Sequence, residues 1–74
     1  MRISVHTSKG VQVNAWREGG LFHVTRADSH HEPQVCMGVD LFEIIAELCE
    51  LDLERSEDAR EALELASTVQ TQLA

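Results

Sequence analysis

The chain has 74 residues, a formal net charge of −7 and two cysteines. That length makes one domain, residues 1–74, with a thin core, and a composition of 43% hydrophobic and 26% charged residues excludes a wholly disordered chain. No run approaches the roughly 20 apolar residues of a membrane span, the opening residues lack the apolar segment of a secretory signal, and Cys36 and Cys49 allow one disulfide at most, so the expected compartment is the reducing cytoplasm.

Residues 2 to 7 alternate, with Ile3 and Val5 on one face and Arg2, Ser4 and His6 on the other, the period of a half-buried strand. Ser8-Lys9-Gly10 forms a three-residue turn, with Gly10 where a positive φ is needed. Counting outward sets Val5 opposite Val13 and Ile3 opposite Ala15, so the apolar residues of both strands share a face. A second strand, Val11 to Arg17, reaches Gly19-Gly20, a pair suited to a two-residue hairpin loop. The third strand then pairs Arg17 with Phe22, Ala15 with Val24 and Val13 with Arg26. The reverse face receives Trp16 opposite His23 and Asn14 opposite Thr25, which leaves Trp16 either covered by the following loop or exposed.

Residues 27 to 33 are polar, end in the only proline and read as an exposed loop. Gln34 to Gly38 is a short apolar stretch suited to a fourth strand. Asp40 and Glu43 fit a capping box, so a helix begins there. Its apolar residues, Leu41, Phe42, Ile44, Ile45, Leu48, Cys49 and Leu51, cover more than half its circumference, which asks for contact with the sheet and with either the last helix or a second chain. Ser56 is a second candidate N-cap, with Glu57 and Asp58 complementing the helix dipole. Ala59, Ala62, Leu63, Ala66, Val69 and Leu73 then form a narrow, alanine-rich seam. The expected fold is α+β: a three- or four-stranded antiparallel sheet (residues 1–38) followed by two C-terminal α-helices packed on one face (39–74). A homodimer is expected through the alanine-rich helix or the uncovered sector of the first.

Charge is unevenly placed. Residues 1–38 hold four basic and three acidic side chains, whereas residues 39–74 hold two basic and ten acidic. Within the acidic half, Glu43, Glu47, Glu50 and Glu54 fall four, three and four residues apart, which on one continuous helix gathers them into about 60° of circumference. Like charges one turn apart repel by roughly 0.2 to 0.5 kcal/mol per pair. A stripe that costs stability suits a small acidic, non-enzymatic interaction protein: it would bind, and so inhibit, a basic protein surface that otherwise holds the phosphates of a nucleic acid. Trp16 beside Arg17 is a second candidate contact, since tryptophan anchors many interfaces.

Other chemistry is less well supported by the residues. His23, His30, His31 and Cys36 fall within fourteen residues, and imidazole with thiolate suits a zinc- or copper-binding or redox-responsive regulator, the alternative reading. Their spacing matches no zinc finger or ribbon, so no metal or cofactor is assigned. A nucleophile built from Cys36 and a histidine lacks a third, orienting group, and four alike glutamates lack the unlike environments that acid–base catalysis needs. No loop carries the alternate oxygen ligands of a calcium site. Arg2, Lys9, Arg17 and Arg26, even with Trp16 as a stacking platform, make a poor footprint for nucleic acid in so acidic a chain.

Overall fold

The computed structural model describes all residues, 1–74. Its elements are β1 (Arg2–His6), β2 (Gln12–Glu18), β3 (Leu21–Arg26), β4 (Gln34–Cys36), a 3₁₀ turn (Gly38–Asp40), α1 (Leu41–Leu48) and α2 (Ser56–Gln72). The four strands form one antiparallel sheet in the order β1-β2-β3-β4. Both helices lie on one face of it: α2 packs over β1, α1 over β3 and β4, and the helices touch each other. The fold is α+β.

The two glycine turns fix the register. Gly10 sits at φ 87, and Gly19 and Gly20 at φ 60 and 81, the left-handed region in which an L side chain is strained. The resulting pairs are those counted from the sequence: Ile3 with Ala15, Val5 with Val13, Arg17 with Phe22, Ala15 with Val24 and Trp16 with His23. Because a strand alternates faces, this register sends Val5, Val13, Ala15, Phe22, Val24 and Cys36 into the core together. Thr7, the one buried polar residue, is satisfied at the turn: its Oγ1 accepts from Val11 N at 3.0 Å.

Leu41, Ile45 and Cys49 of the α1 segment and Ala66, Val69 and Leu73 of the α2 segment complete the core. The wide apolar sector of α1 therefore meets both the sheet and α2. Of the alanine-rich seam, Ala62, Ala66, Val69 and Leu73 are buried within the chain, where Ala62 and Ala66 let α2 approach closely, while Leu63 stays exposed.

Three local expectations are corrected. Asp40 is not an extended N-cap; it closes the 3₁₀ turn in the α region at φ −93, ψ −8 and makes no side-chain cap bond. Ser56 lies inside α2, whose N-cap is Arg55, with no side-chain cap bond. The ordering of that corner falls to two aspartates: Asp58 Oδ2 accepts from Asp52 N at 2.9 Å, and Asp52 Oδ1 from Glu54 N at 3.0 Å. The third correction concerns the end of α1 and bears on the candidate site.

Candidate functional site: the acidic helical layer

The helix that would have carried Glu43, Glu47, Glu50 and Glu54 as one stripe stops at Leu48. Cys49 N bonds Ile45 O at 2.9 Å, Glu50 N bonds Glu47 O at 3.3 Å and Leu51 N bonds Ala46 O at 2.9 Å. The last two are the paired bonds of a Schellman turn, which needs a left-handed residue after the cap. Glu50 supplies it at φ 55. Leu51, next along, packs against the core, the apolar contact that accompanies such turns. The stripe is thus broken in two. Glu43 and Glu47 remain one turn apart and exposed on α1, while Glu50 and Glu54 lie in the connection to α2.

Glu50 is also held within the molecule. Arg26, at the end of β3, places Nη1 at 3.3 Å from Glu50 Oε2 and donates the same group to Leu48 O at 3.3 Å. Its Nε and Nη2 form a fork onto Asp28, at 3.0 Å to Oδ1 and 2.9 Å to Oδ2. These hydrogen bonds hold the Asp28 carboxyl below the usual carboxylate range and push the Arg26 guanidinium further up. Arg26 gives α1 something its own sequence lacks, since no basic residue stands in its last turn: a cation against the negative end of the dipole and a donor for an orphan carbonyl. The sequence held a signal for this, because Arg26 counts onto the core-facing side opposite Val13 and a cation there needs partners nearby.

The acids of residues 39–74 therefore divide by role. Glu50, Asp52, Asp58 and Glu61 bind groups of their own chain, Glu61 Oε2 accepting from Ser8 N at 3.0 Å. The side chains of Asp40, Glu43, Glu47, Glu54, Glu57 and Glu64 take part in no hydrogen bond or ion pair, and all are exposed. Arg55 and Arg60, the two cations of this half, make no ion pair with them either. The outer helical layer thus presents carboxylates without a contact ion pair, and the cation nearest to them along α2 is Arg60, one turn from Glu57 and from Glu64.

Trp16 lies on the other side. On the open face of the sheet it stacks on His23, with ring centroids 5.4 Å apart and planes 13° from parallel, and the Arg2 guanidinium sits 4.2 Å above it. It is half-buried, with His23 and Arg2 against its ring. Around it Ser4 Oγ donates to Asn14 Oδ1 at 2.7 Å, Gln12 Nε2 donates to the same oxygen at 3.1 Å, and His6 Nε2 lies 3.2 Å from Gln12 Oε1. Arg17 turns to the opposite face, over Phe22 at 5.4 Å, so the cations of the strands do not form one patch.

The metal or redox reading finds no assembled site. His23 pairs with Val35 across the sheet, so the neighbouring Cys36 necessarily faces the other way, into the core. His30 and His31 are exposed in the loop, and no group of three or more histidine, cysteine or acidic side chains has the geometry to hold a metal ion. Cys36 and Cys49 are free and buried, and burial pushes both thiols up from their ordinary pKa, the reverse of activation. No helix is long and apolar enough to cross a membrane.

Comparison with protein-family models, with curated proteins and with solved structures returns no match.

Proposed function

We propose that this protein is a small non-catalytic binding module that docks on a basic protein surface through the outer face of its helical layer, with Glu43 and Glu47 of α1 at the centre. The observation that carries the reading is the set of exposed carboxylates, Glu43 and Glu47 on α1 with Glu54, Glu57 and Glu64 beside them, none in a contact ion pair, while Arg26 serves Asp28 and Glu50. A partner rich in arginine and lysine supplies what the fold withholds. Repulsion along the layer is relieved on binding, and the opposite charge steers the encounter. A groove that holds nucleic-acid phosphates has the matching chemistry, and occupying it makes the protein an inhibitor. Glu50 contributes less than a continuous stripe implied, because Arg26 already engages it. Trp16 stands on the far side of the sheet and belongs to the open face's own stack.

The test is affinity capture from the native host with matched charge reversals. Glu43→Lys and Glu18→Lys change net charge equally, but only the first alters the helical layer. Loss of a specific partner with Glu43→Lys and its retention with Glu18→Lys is the expected result, together with release at raised ionic strength. Equal loss with both variants, or binding indifferent to salt, would count against the reading.

A further inference from the structure

The two edges of the sheet are finished differently. The outer strand β1 presents Arg2, Ser4 and His6 on its open-face side, whereas the segment through β4 exposes Val35 (51%), Met37 (56%) and Val39 (88%). Charged and polar edges resist strand addition, and apolar ones invite it.

The backbone of β4 says what can be added. Ala27 N donates to Gln12 O at 2.9 Å, which makes Gln12 and Ala27 a hydrogen-bonded pair. Alternation along an antiparallel ladder gives Asn14–Thr25 and Trp16–His23 the same character. Phe22 and Val24 then turn their backbone groups toward β4, onto Cys36 and Gln34. Val35 turns its N–H and C=O away from the sheet. Met37 is extended at φ −78, ψ 162 and continues the alternation, so its N–H is free, but its carbonyl already accepts from Asp40 N at 3.0 Å. At the other end, Pro33 faces the same way with a carbonyl and no N–H. The outward edge therefore offers donors at Val35 and Met37 and acceptors at Pro33 and Val35.

We propose that the occupant of this edge is a second copy of the chain, its β4 antiparallel to the first about a two-fold axis through Val35. The complementarity of these partial charges with themselves commits the site to self. Centred on Val35, the pairing lets Val35 N–H of each copy meet Val35 C=O of the other, and Met37 N–H of each meet Pro33 C=O of the other. The one bond missing from each repeat would run from an N–H that Pro33 lacks to a Met37 carbonyl that the 3₁₀ turn has taken. The gap in the donors falls on the gap in the acceptors. The Val35 side chains meet across the axis, and the transverse row Arg2, Trp16, His23, Val35 continues into its copy across one eight-stranded sheet. So short a strand makes an interface below the usual size of a stable dimer, and association is therefore weak and concentration-dependent. About this axis both helical layers lie on one face of the joined sheet, and α1, which packs over β3 and β4, stands nearest its copy, so the acids of the two α1 helices oppose association and added salt should strengthen it.

Sedimentation from low micromolar to millimolar concentration, with amide exchange at both ends of the range, tests this. The mass should climb from 8.3 kDa toward twice that value, and the Val35 and Met37 amides should become protected as it does. Val35→Pro removes an N–H that the protein's own ladder does not use, so it should keep the far-ultraviolet circular dichroism of the parent and remain monomeric. Met37→Lys, which alters no backbone group, should weaken association independently. The proposal fails if the protein is monomeric at millimolar concentration, or if a dimer survives both variants or is broken instead by Leu63→Lys on α2. It fails too if the Val35 amide is protected only when a foreign peptide is added.

Discussion

On the open face of the sheet the polar groups answer one another: Arg2 lies over Trp16, Trp16 stacks on His23, and Ser4, His6, Gln12 and Asn14 share hydrogen bonds. On the outer side of the helical layer Glu43, Glu47, Glu57 and Glu64, with Glu54 in the connection, have no contact ion pair. On the proposed reading it is the second surface, not the first, that meets a basic partner. Like charges unpaired on a helix are what the proposed docking on a basic partner draws on.

The sharpest way to break the contrast is to remove the layer that holds both faces in place. Ile45 is fully buried where α1 meets the sheet and α2, and Ile45→Ala should cost about 2 to 5 kcal/mol, a large part of the stability of so small a domain. Urea unfolding measures it, and a loss under about 1 kcal/mol would show that α1 is not anchored as described.

Substitutions on the two faces should separate binding from stability. Glu43→Lys with Glu47→Lys is expected to leave urea midpoints nearly unchanged, within about 0.5 kcal/mol as for surface sites generally, while weakening binding to a basic partner at least about tenfold, some 1.4 kcal/mol. Trp16→Ala should do the reverse, lowering stability and leaving that affinity nearly intact.

Arg26 joins the two layers, and acid should loosen its grip. The Asp28 carboxyl, held below its ordinary range by the Arg26 hydrogen bonds, takes up a proton more readily in the unfolded chain. Its contribution is thus present above the ordinary carboxylate value near pH 4 and fades as pH falls through the lowered folded value. The acid limb of a stability profile should be shallower in Asp28→Asn than in the parent. The two buried thiols act at the other end: their raised pKa favours the neutral folded form, so their contribution is intact below roughly pH 8.5 and declines as pH rises beyond it.

The smallest effect expected is at Glu50. Glycine there would remove a left-handed penalty of roughly 1 to 2 kcal/mol and would also release Arg26 from one of its two carboxylates, so Glu50→Gly should raise the thermal midpoint slightly. A fall would mean that the ion pair outweighs the strain.

The sheet could be read from the chain because alternation and the glycine turns point to the same register. Val5, Val13 and Ala15 share a face only if Gly10 turns where it does, and the Gly19-Gly20 loop leaves one way to pair Trp16 with His23. The end of α1 could not be read so. Apolar spacing continues through Leu51, and the residue in the left-handed position is a glutamate where helix ends favour glycine. What stops the helix is tertiary: Leu51 returns to the core, and Arg26 reaches from β3 to the last carbonyl of the helix. The stripe of four glutamates was lost to that contact, although Glu43 and Glu47 kept their places. Asp40 and Ser56 looked like caps by residue type, but the 3₁₀ turn claims one and the Asp52–Asp58 corner displaces the other.

Docking through the helical layer is tested most directly by where a cation-rich ligand lands. Amide chemical shifts followed during titration with an arginine-rich peptide should move on α1 around Glu43 and Glu47 and on the first turns of α2, and the movement should shrink as salt is raised. Shifts centred on the Arg2, Trp16 and His23 face, or spread evenly over the molecule, would contradict the assignment of the helical layer as the docking surface.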